Sequence, residues 1–272
     1  VVELPSAFAV SSAEDFAACG VSLLTSLGAV DTICFGSEDG DIRRIRTAAG
    51  ILAKEGGDFS SLLSIGLRSG LSWPQARSQA LLKMADKDKD FPLRREEMDK
   101  LLGSPNNLLG IEYCKAILRQ DSPLIPFTIR RRGQGYHDNG LEGGQASASA
   151  IRRTLKAGEP SREAGLFPYA TLTPEAMTHI PPETVLEAND LSEILNFCLL
   201  SLKREGTHYT QYGDMSAEMA RRLEHCLLKQ VSWEGRIEQL KTRQYTYTRI
   251  SRALLHMVLG LTDARVQSYK EA

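Results

Sequence analysis

The chain has 272 residues, 42% of them hydrophobic, which is enough for one large domain or two smaller ones, each with its own core. Formal net charge is -1, so the total excludes a wholly basic nucleic-acid binder and leaves such a role to local patches. No apolar run approaches the ~20 residues that span a bilayer.

The chain opens on VVELPSAFAV, with no initiator Met. β-branched residues running into Leu4-Pro5 are expected to be the end of a buried strand that begins outside the chain. Residues 12–28 follow as a helix, with Ser12 and Asp15 as a capping box and Gly28 as the stop. Phe16, Cys19, Leu23 and Leu27 recur on one face of it. Thr32 to Phe35 is expected as a short strand ending at Gly36. Strand, helix, strand is the alternation of a parallel α/β sheet, whose ligands sit at the carboxyl ends of the strands. Gly36, Ser37 and Glu38 fall at that edge. Five cysteines (Cys19, Cys34, Cys114, Cys198 and Cys226) have no CxxC spacing, which fits reduced, packed thiols in a cytoplasmic protein.

Residues 41–103 read as a helical insertion whose charges form solvated faces. In SPNNLLGIEYCKAILRQ, Ser104 is an expected N-cap and Pro105 suits the first turn. Asn106 and Asn107 then face whatever lies at the helix start, and Leu109, Tyr113, Ala116 and Ile117 form the apolar stripe. The strand LIPFTIRRR follows and runs into a glycine-rich loop, GYHDNGLEGGQ. By the period of two, Arg130 and Arg132 share one side and Arg131 takes the other. His137 beside Asp138 offers an acid–base pair, although a hydrogen-bonded loop pair reads the same way.

The loop feeds ASASAIRRTLKAG, a helix start carrying Ser147, Ser149 and Arg152. Helix N-termini present free N–H groups to phosphate, and a guanidinium adds a matching fork. Serine also caps helices with no ligand present, so spacing alone leaves both readings standing. From about residue 176, four helices are expected: ANDLSEILNFCLLSLKREG, SAEMARRLEHCLLKQ, SWEGRIEQLKTR and TYTRISRALLHMVLG. Asp190 and Glu193 fit a capping box on the first, and Gly260 ends the last. The domain reading is therefore an α/β unit over 1–175, with the insertion at 41–103, and an all-α unit over 176–272. In KTRQYTYTRISRALLH no acidic residue stands between Lys241 and Arg252. Lys241, Arg243, Arg249 and Arg252, with Tyr245 and Tyr247 interleaved, suit a surface that tracks an RNA backbone, with His256 continuing the line. A plain solvated helix face reads alike.

Taken together, VVELPSAFAVSSAEDFAACGVSLL, FGSE, SPNNLLGIEY, GYHD, SASAIR and YTYTRISRALLHMVLG resemble the bacterial tRNA(Met) cytidine acetate ligases, in order over nearly the whole chain. The resemblance implies a Rossmann-like nucleotidyltransferase core of the HxGH class. It implies that ATP, with a divalent cation such as Mg²⁺, activates acetate as acetyl-adenylate. The acetyl group then passes to N4 of the wobble cytidine of elongator tRNA(Met). It implies ATP contacts at Gly36, Asn106 or Asn107, Arg131, Ser147, Ser149 and Arg152. The basic residues Arg130, Arg132, Lys241, Arg243, Arg249 and Arg252 are then the candidates to meet the tRNA.

One departure stands out. No HxGH occurs, and His137, His179, His208, His225 and His256 lack a partner at that spacing. In the family that motif precedes the VVELP stretch, so the expectation is a chain short of both ends of the family and lacking half of the ATP site. Two alternatives follow. One is a small-molecule adenylyltransferase, which leaves the basic helical segment unexplained. The other is a non-catalytic RNA-binding scaffold, which the missing motif favours.

Overall fold

The computed structural model describes residues 2–54, 56–87, 92–131 and 186–271. Arg132, His137, Asp138, Ser147, Ser149 and Arg152 lie outside them. So does the helix expected to start at ASASAIRR.

Residues 2–5 are not a buried strand. They have no strand partner among the described residues, Val2 is 47% exposed, and Pro5 leads into a short helix α1 (Ser6–Ala9). Helix α2 (Ala13–Ser26) starts as expected: the Asp15 N–H donates to Ser12 Oγ at 3.2 Å. Its core-facing residues are Ala17 and Val21, while Leu27 is half exposed, so the buried face is rotated from the expected one. Strand β1 (Thr32–Ser37) runs past Gly36. It pairs in parallel with β2 (Ile125–Arg130), Gly36 opposite Ile129 and Ser37 opposite Arg130. The pairing brings both carboxyl ends to one edge, as a parallel α/β unit requires.

Between the strands lie α3 (Ile42–Lys54), α4 (Gly57–Arg68), α5 (Trp73–Lys87), α6 (Arg95–Leu102) and α7 (Pro105–Arg119). Ile45, Leu52, Leu81, Met98, Leu101 and Ile111 are at most 1% exposed and form one cluster across α3, α5, α6 and α7. Each such side chain contributes roughly 1.5–3 kcal/mol of burial. A second cluster, with Val21, Ile33, Ala116, Ile117 and Leu124, seats α2 on β1 and α7. Helix α7 is thus enclosed on several sides. It buries Glu112 and Lys115 as well as Ala116 and Ile117 of the expected stripe, while Leu109 and Tyr113 are half-buried.

One charge of the 41–103 insertion contradicts the solvated-face reading. Arg77 of α5 is 7% exposed, its Nη1 donates to Glu112 Oε1 at 2.6 Å, and its guanidinium stacks on Trp73. Lys115 Nζ stands 2.6 Å from Glu112 Oε2 and 3.0 Å from Glu14. A buried carboxylate needs paired cations, and here it ties α5 to α7.

The cysteines are all free. Burial pushes the Cys114 thiol up to about 12, in keeping with a packed, inert group. Cys34 departs from expectation and is exposed, because the described residues leave its side of the sheet, with Phe127 and Ile129, uncovered.

The second region holds α8 (Ser192–Arg204), α9 (Ala217–Cys226), α10 (Trp233–Leu240) and α11 (Tyr247–Leu259), the four expected helices. A fifth, α12 (Asp263–Glu271), follows them. The expected Asp190–Glu193 capping box is replaced by one a turn earlier, between Glu187 and Asp190, on the 3-10 turn Ala188–Leu191. Gly260 ends α11 at φ +64°, a left-handed cap that glycine adopts without strain. Leu195, Leu199, Met219, Leu223, Trp233, Ile237 and Leu254 form a separate core. His256 Nε2 meets the Val10 carbonyl at 2.9 Å and Lys270 meets Asp15 at 2.6 Å, joining the two regions.

Candidate functional site

The edge where β1 and β2 end is built from a chain of hydroxyls. Thr128 Oγ1 donates to the Phe35 carbonyl at 3.0 Å. Ser37 Oγ lies 2.7 Å from Thr128 Oγ1 and accepts the Gly40 N–H at 3.0 Å. The Arg131 N–H donates to the Ser37 carbonyl at 2.8 Å, extending the pairing one residue beyond β2. Ser37 and Thr128 are buried, so their hydroxyls must satisfy one another. They thereby lock the two strand ends in register.

Two glycines let the arginines cross this edge. A Cβ on Gly36 would stand 3.2 Å from Arg131 Cγ, so the bare backbone there makes room for the Arg131 stem. Gly40 has φ +72°, and a Cβ on it would stand 2.6 Å from Arg130 Cβ. Arg130 and Arg131 are both exposed. Gly36 and Arg131, expected to share the nucleotide, are neighbours here.

The start of α7 is capped from across the fold. Ser104 holds the N-cap position, but its hydroxyl makes no cap hydrogen bond. Glu38 does the capping: its Oε2 accepts the Asn107 N–H at 3.0 Å and its Oε1 accepts from Asn106 Nδ2 at 2.6 Å. An acidic group at a helix start offsets the dipole and takes up a free N–H. In return Asn107 Oδ1 accepts the Asp39 N–H at 3.0 Å. Asn107 is 1% exposed and fully engaged in this brace, whereas Asn106 is half-buried and reachable. The two asparagines that spacing could not separate thus have different surroundings.

The remaining acids of the edge are neutralised. The Arg43 guanidinium beside Asp41 pulls its carboxyl to about 2, and Arg44 Nε stands 3.2 Å from Asp39. Among the described residues no three His, Cys, Asp or Glu side chains come together as a metal site. Two open clefts among the described residues, of about 550 Å³ between α5 and α6 and about 420 Å³ beside α8, include none of Gly36, Asn106 or Arg131.

The basic stretch of the second region is less free than its sequence. Arg252 is clamped by Asp214, Nε to Oδ2 at 2.8 Å and Nη2 to Oδ1 at 3.1 Å. Arg249 Nε donates to the Asp214 carbonyl at 3.3 Å and its guanidinium lies on the Tyr245 ring. Lys241 pairs with Glu238 at 3.2 Å, and Arg243 is exposed. Tyr245 is buried, with its hydroxyl on Ser216 and Glu218, so it offers no stacking face to RNA; Tyr247 is 40% exposed. His256 is 5% exposed and does not continue the basic line. Residue spacing put Ser37 and Glu38 at the edge without their remote partners, and it missed Thr128 and Asp214.

Comparison with known proteins follows the same outline. The family model described as HIGH Nucleotidyl Transferase matches residues 1–272. A tRNA(Met) cytidine acetate ligase of Clostridium perfringens is 35% identical over 267 residues, which cover 96% of this chain and 63% of that protein. The chain therefore spans somewhat under two thirds of that relative. The apo crystal structure of Thermotoga maritima TmcAL superposes with a TM-score of 0.86 at 27% identity, covering 98% of this chain and 62% of that one. A structure of the same protein bound with alpha-thio ATP gives 0.81 at 25% identity, covering 99% and 61%. The full-length match, the parallel strand pair and these neighbours agree, and the chain belongs to the HIGH nucleotidyl transferase family.

Proposed function

We propose that the complete gene product carrying this chain is an ATP-dependent tRNA(Met) cytidine acetate ligase. An acetate oxygen attacks the α-phosphate of ATP, and acetyl-adenylate forms as pyrophosphate leaves. The N4 amine of the wobble cytidine then attacks the acetyl carbon, and AMP and a proton depart. No protein nucleophile is needed; the work is positioning and charge stabilisation.

The observation that carries the reading is the edge where Gly36, Asn106 and Arg131 converge at the carboxyl ends of two parallel strands. That is where α/β sheets bind ligands. The C. perfringens relative carries the ligase name, and T. maritima TmcAL has been crystallised with an ATP analogue. Asn106 would meet the nucleoside and Arg131 the phosphates, with Ser147, Ser149 and Arg152 completing the triphosphate site. Asn107 acts through the brace it forms with Asp39. Mg²⁺ would supply charge neutralisation for the triphosphate, and the acids of the edge, Glu38, Asp39 and Asp41, are already engaged with protein partners. Residues 1–175 would hold ATP. Residues 176–272 would meet tRNA through Arg243 and Tyr247, with Lys241, Arg249 and Arg252, and Arg130 and Arg132 would add to that contact. This reaction belongs in the cytoplasm, with its tRNA.

Acetate-dependent exchange of labelled pyrophosphate into ATP, with and without tRNA(Met), tests the first half. Exchange that requires acetate is expected. No exchange under either condition would remove adenylation from the proposed reaction.

A further inference from the structure

Glu38 lies outside every role given above except the capping of α7, and its second hydrogen bond has a chemical consequence. We propose that Glu38 is a positioning residue that fixes which face of the Asn106 amide meets the nucleotide. This rests on the reading of the strand edge as an ATP site.

A carboxylate can only accept hydrogen bonds. The atom of Asn106 that stands 2.6 Å from Glu38 Oε1 is therefore the amide nitrogen, Nδ2. With Nδ2 held inward, Asn106 presents its oxygen outward. Asn106 is half-buried at the mouth of the edge, and no described residue donates a hydrogen bond to that oxygen. An outward acceptor selects a donor. On a nucleotide the donors are the ribose hydroxyls and the exocyclic amine of adenine. Phosphate oxygens, which only accept, are turned away, and the Glu38 charge repels them further. The Asn107 N–H at the start of α7, a natural phosphate ligand, is already filled by Glu38 Oε2. Glu38 thus assigns the α7 side of the edge to the nucleoside and leaves the anionic end to the Arg131 side.

The test uses the complete gene product and equilibrium binding of ATP. In Glu38→Gln, the single acceptor oxygen is held by the fixed backbone N–H of Asn107. The new amide N–H then faces Asn106, whose side chain turns over and points a donor outward. ATP affinity should fall by about tenfold, the scale of one exchanged hydrogen bond. Adding Asn106→Asp should restore binding to within about threefold, because a carboxylate accepts from the amide introduced at position 38 and still offers an acceptor outward. Asn106→Asp alone sets two carboxylates together and should bind no better than Glu38→Gln. Two analogues identify the donor. 2′-Deoxy-ATP lacks one ribose hydroxyl, and purine riboside triphosphate lacks the amine. The unsubstituted protein should lose affinity for one of them, and Glu38→Gln should be indifferent to that same change.

Thermal midpoints of all variants separate lost folding from a turned amide, because the rescue cannot come from a helix cap alone. If the unsubstituted protein binds ATP and Glu38→Gln binds it within about twofold, the inference fails. It also fails if the double variant is as weak as the single one. If the unsubstituted protein binds no ATP, the functional reading itself fails and takes the inference with it.

Discussion

Arg252 grips Asp214 through two parallel hydrogen bonds, Nε to Oδ2 at 2.8 Å and Nη2 to Oδ1 at 3.1 Å, across 38 residues of sequence. The same Asp214 takes Arg249 on its carbonyl, so one loop residue restrains both arginines of the proposed RNA surface. Asp214 has φ +64°, which asparagine also tolerates. Asp214→Asn should therefore keep the loop and the Arg249 bond to its carbonyl, and loosen the grip on Arg252. The stability cost should stay near or below about 1 kcal/mol, as for partly exposed pairs. If the stripe meets RNA, tRNA affinity should rise by about threefold or more, and the slope of log K against log salt should steepen by about one. Filter binding across a salt series reads both. Unchanged affinity and slope would place Arg252 off the RNA path.

Glu14 provides a pH signature for the joint between α2 and α7. Burial pushes its carboxyl up, but Lys115 and Arg119 outweigh burial and hold it below the ordinary 4.5. A group whose pKa is lowered on folding stabilises the fold at pH above its ordinary value, and that contribution drains as pH falls through the lowered value. The stability gap between the native chain and Glu14→Gln should thus be constant from neutral pH to about 5 and close below 4.5. It should be no more than about 1 kcal/mol, since the carboxyl is partly screened by water. Urea titrations at several pH values measure it, and a gap that persists into the acid range would contradict the assignment.

Arg236 is fully buried and meets no carboxylate among the described residues. Its Nη1 donates to the Cys226 carbonyl at 2.5 Å, and its Nη2 to the Lys229 carbonyl at 2.5 Å and Asn196 Oδ1 at 3.1 Å. It closes the carboxyl end of α9, where a cation is favoured. Arg236→Ala should cost the helical region about 3–5 kcal/mol, because several carbonyls lose their donor in a dry core. Arg236→Lys should recover less than half, lacking the planar fork. Fluorescence of Trp233, which is 1% exposed, reports the unfolding. A cost under about 1 kcal/mol for the alanine variant would rule out this role.

Local signals were legible in the sequence, and remote ones were not. Ser12 and Gly260 act within one helix turn, and the structure has them as caps where spacing puts them. The two strands and the four C-terminal helices follow from the same short-range patterns, whereas the pairing of β1 with β2 is remote, and the expected strand at VVELP is not its partner. The cap of α7 depends on Glu38, 68 residues away, so Ser104 takes the credit in sequence alone. The basic stretch from Lys241 to Arg252 reads as unopposed because Asp214 stands outside it. Arg236 sits between Gly235 and Ile237 as an ordinary helix residue until folding closes the core over it. Of the candidate site, Gly36, Asn106, Asn107 and Arg131 come together at the strand edge. Ser147, Ser149 and Arg152 lie outside the described residues.

If ATP and acetate are joined at this edge and the acetyl group leaves on RNA, one incubation reads both steps. The complete gene product is mixed with ATP, labelled acetate and elongator tRNA(Met), and the tRNA is then digested and its nucleosides separated. Label is expected in N4-acetylcytidine from the wobble position, dependent on ATP and abolished by Arg131→Ala. Label that never reaches the tRNA, or that reaches it without ATP, would contradict the proposed reaction.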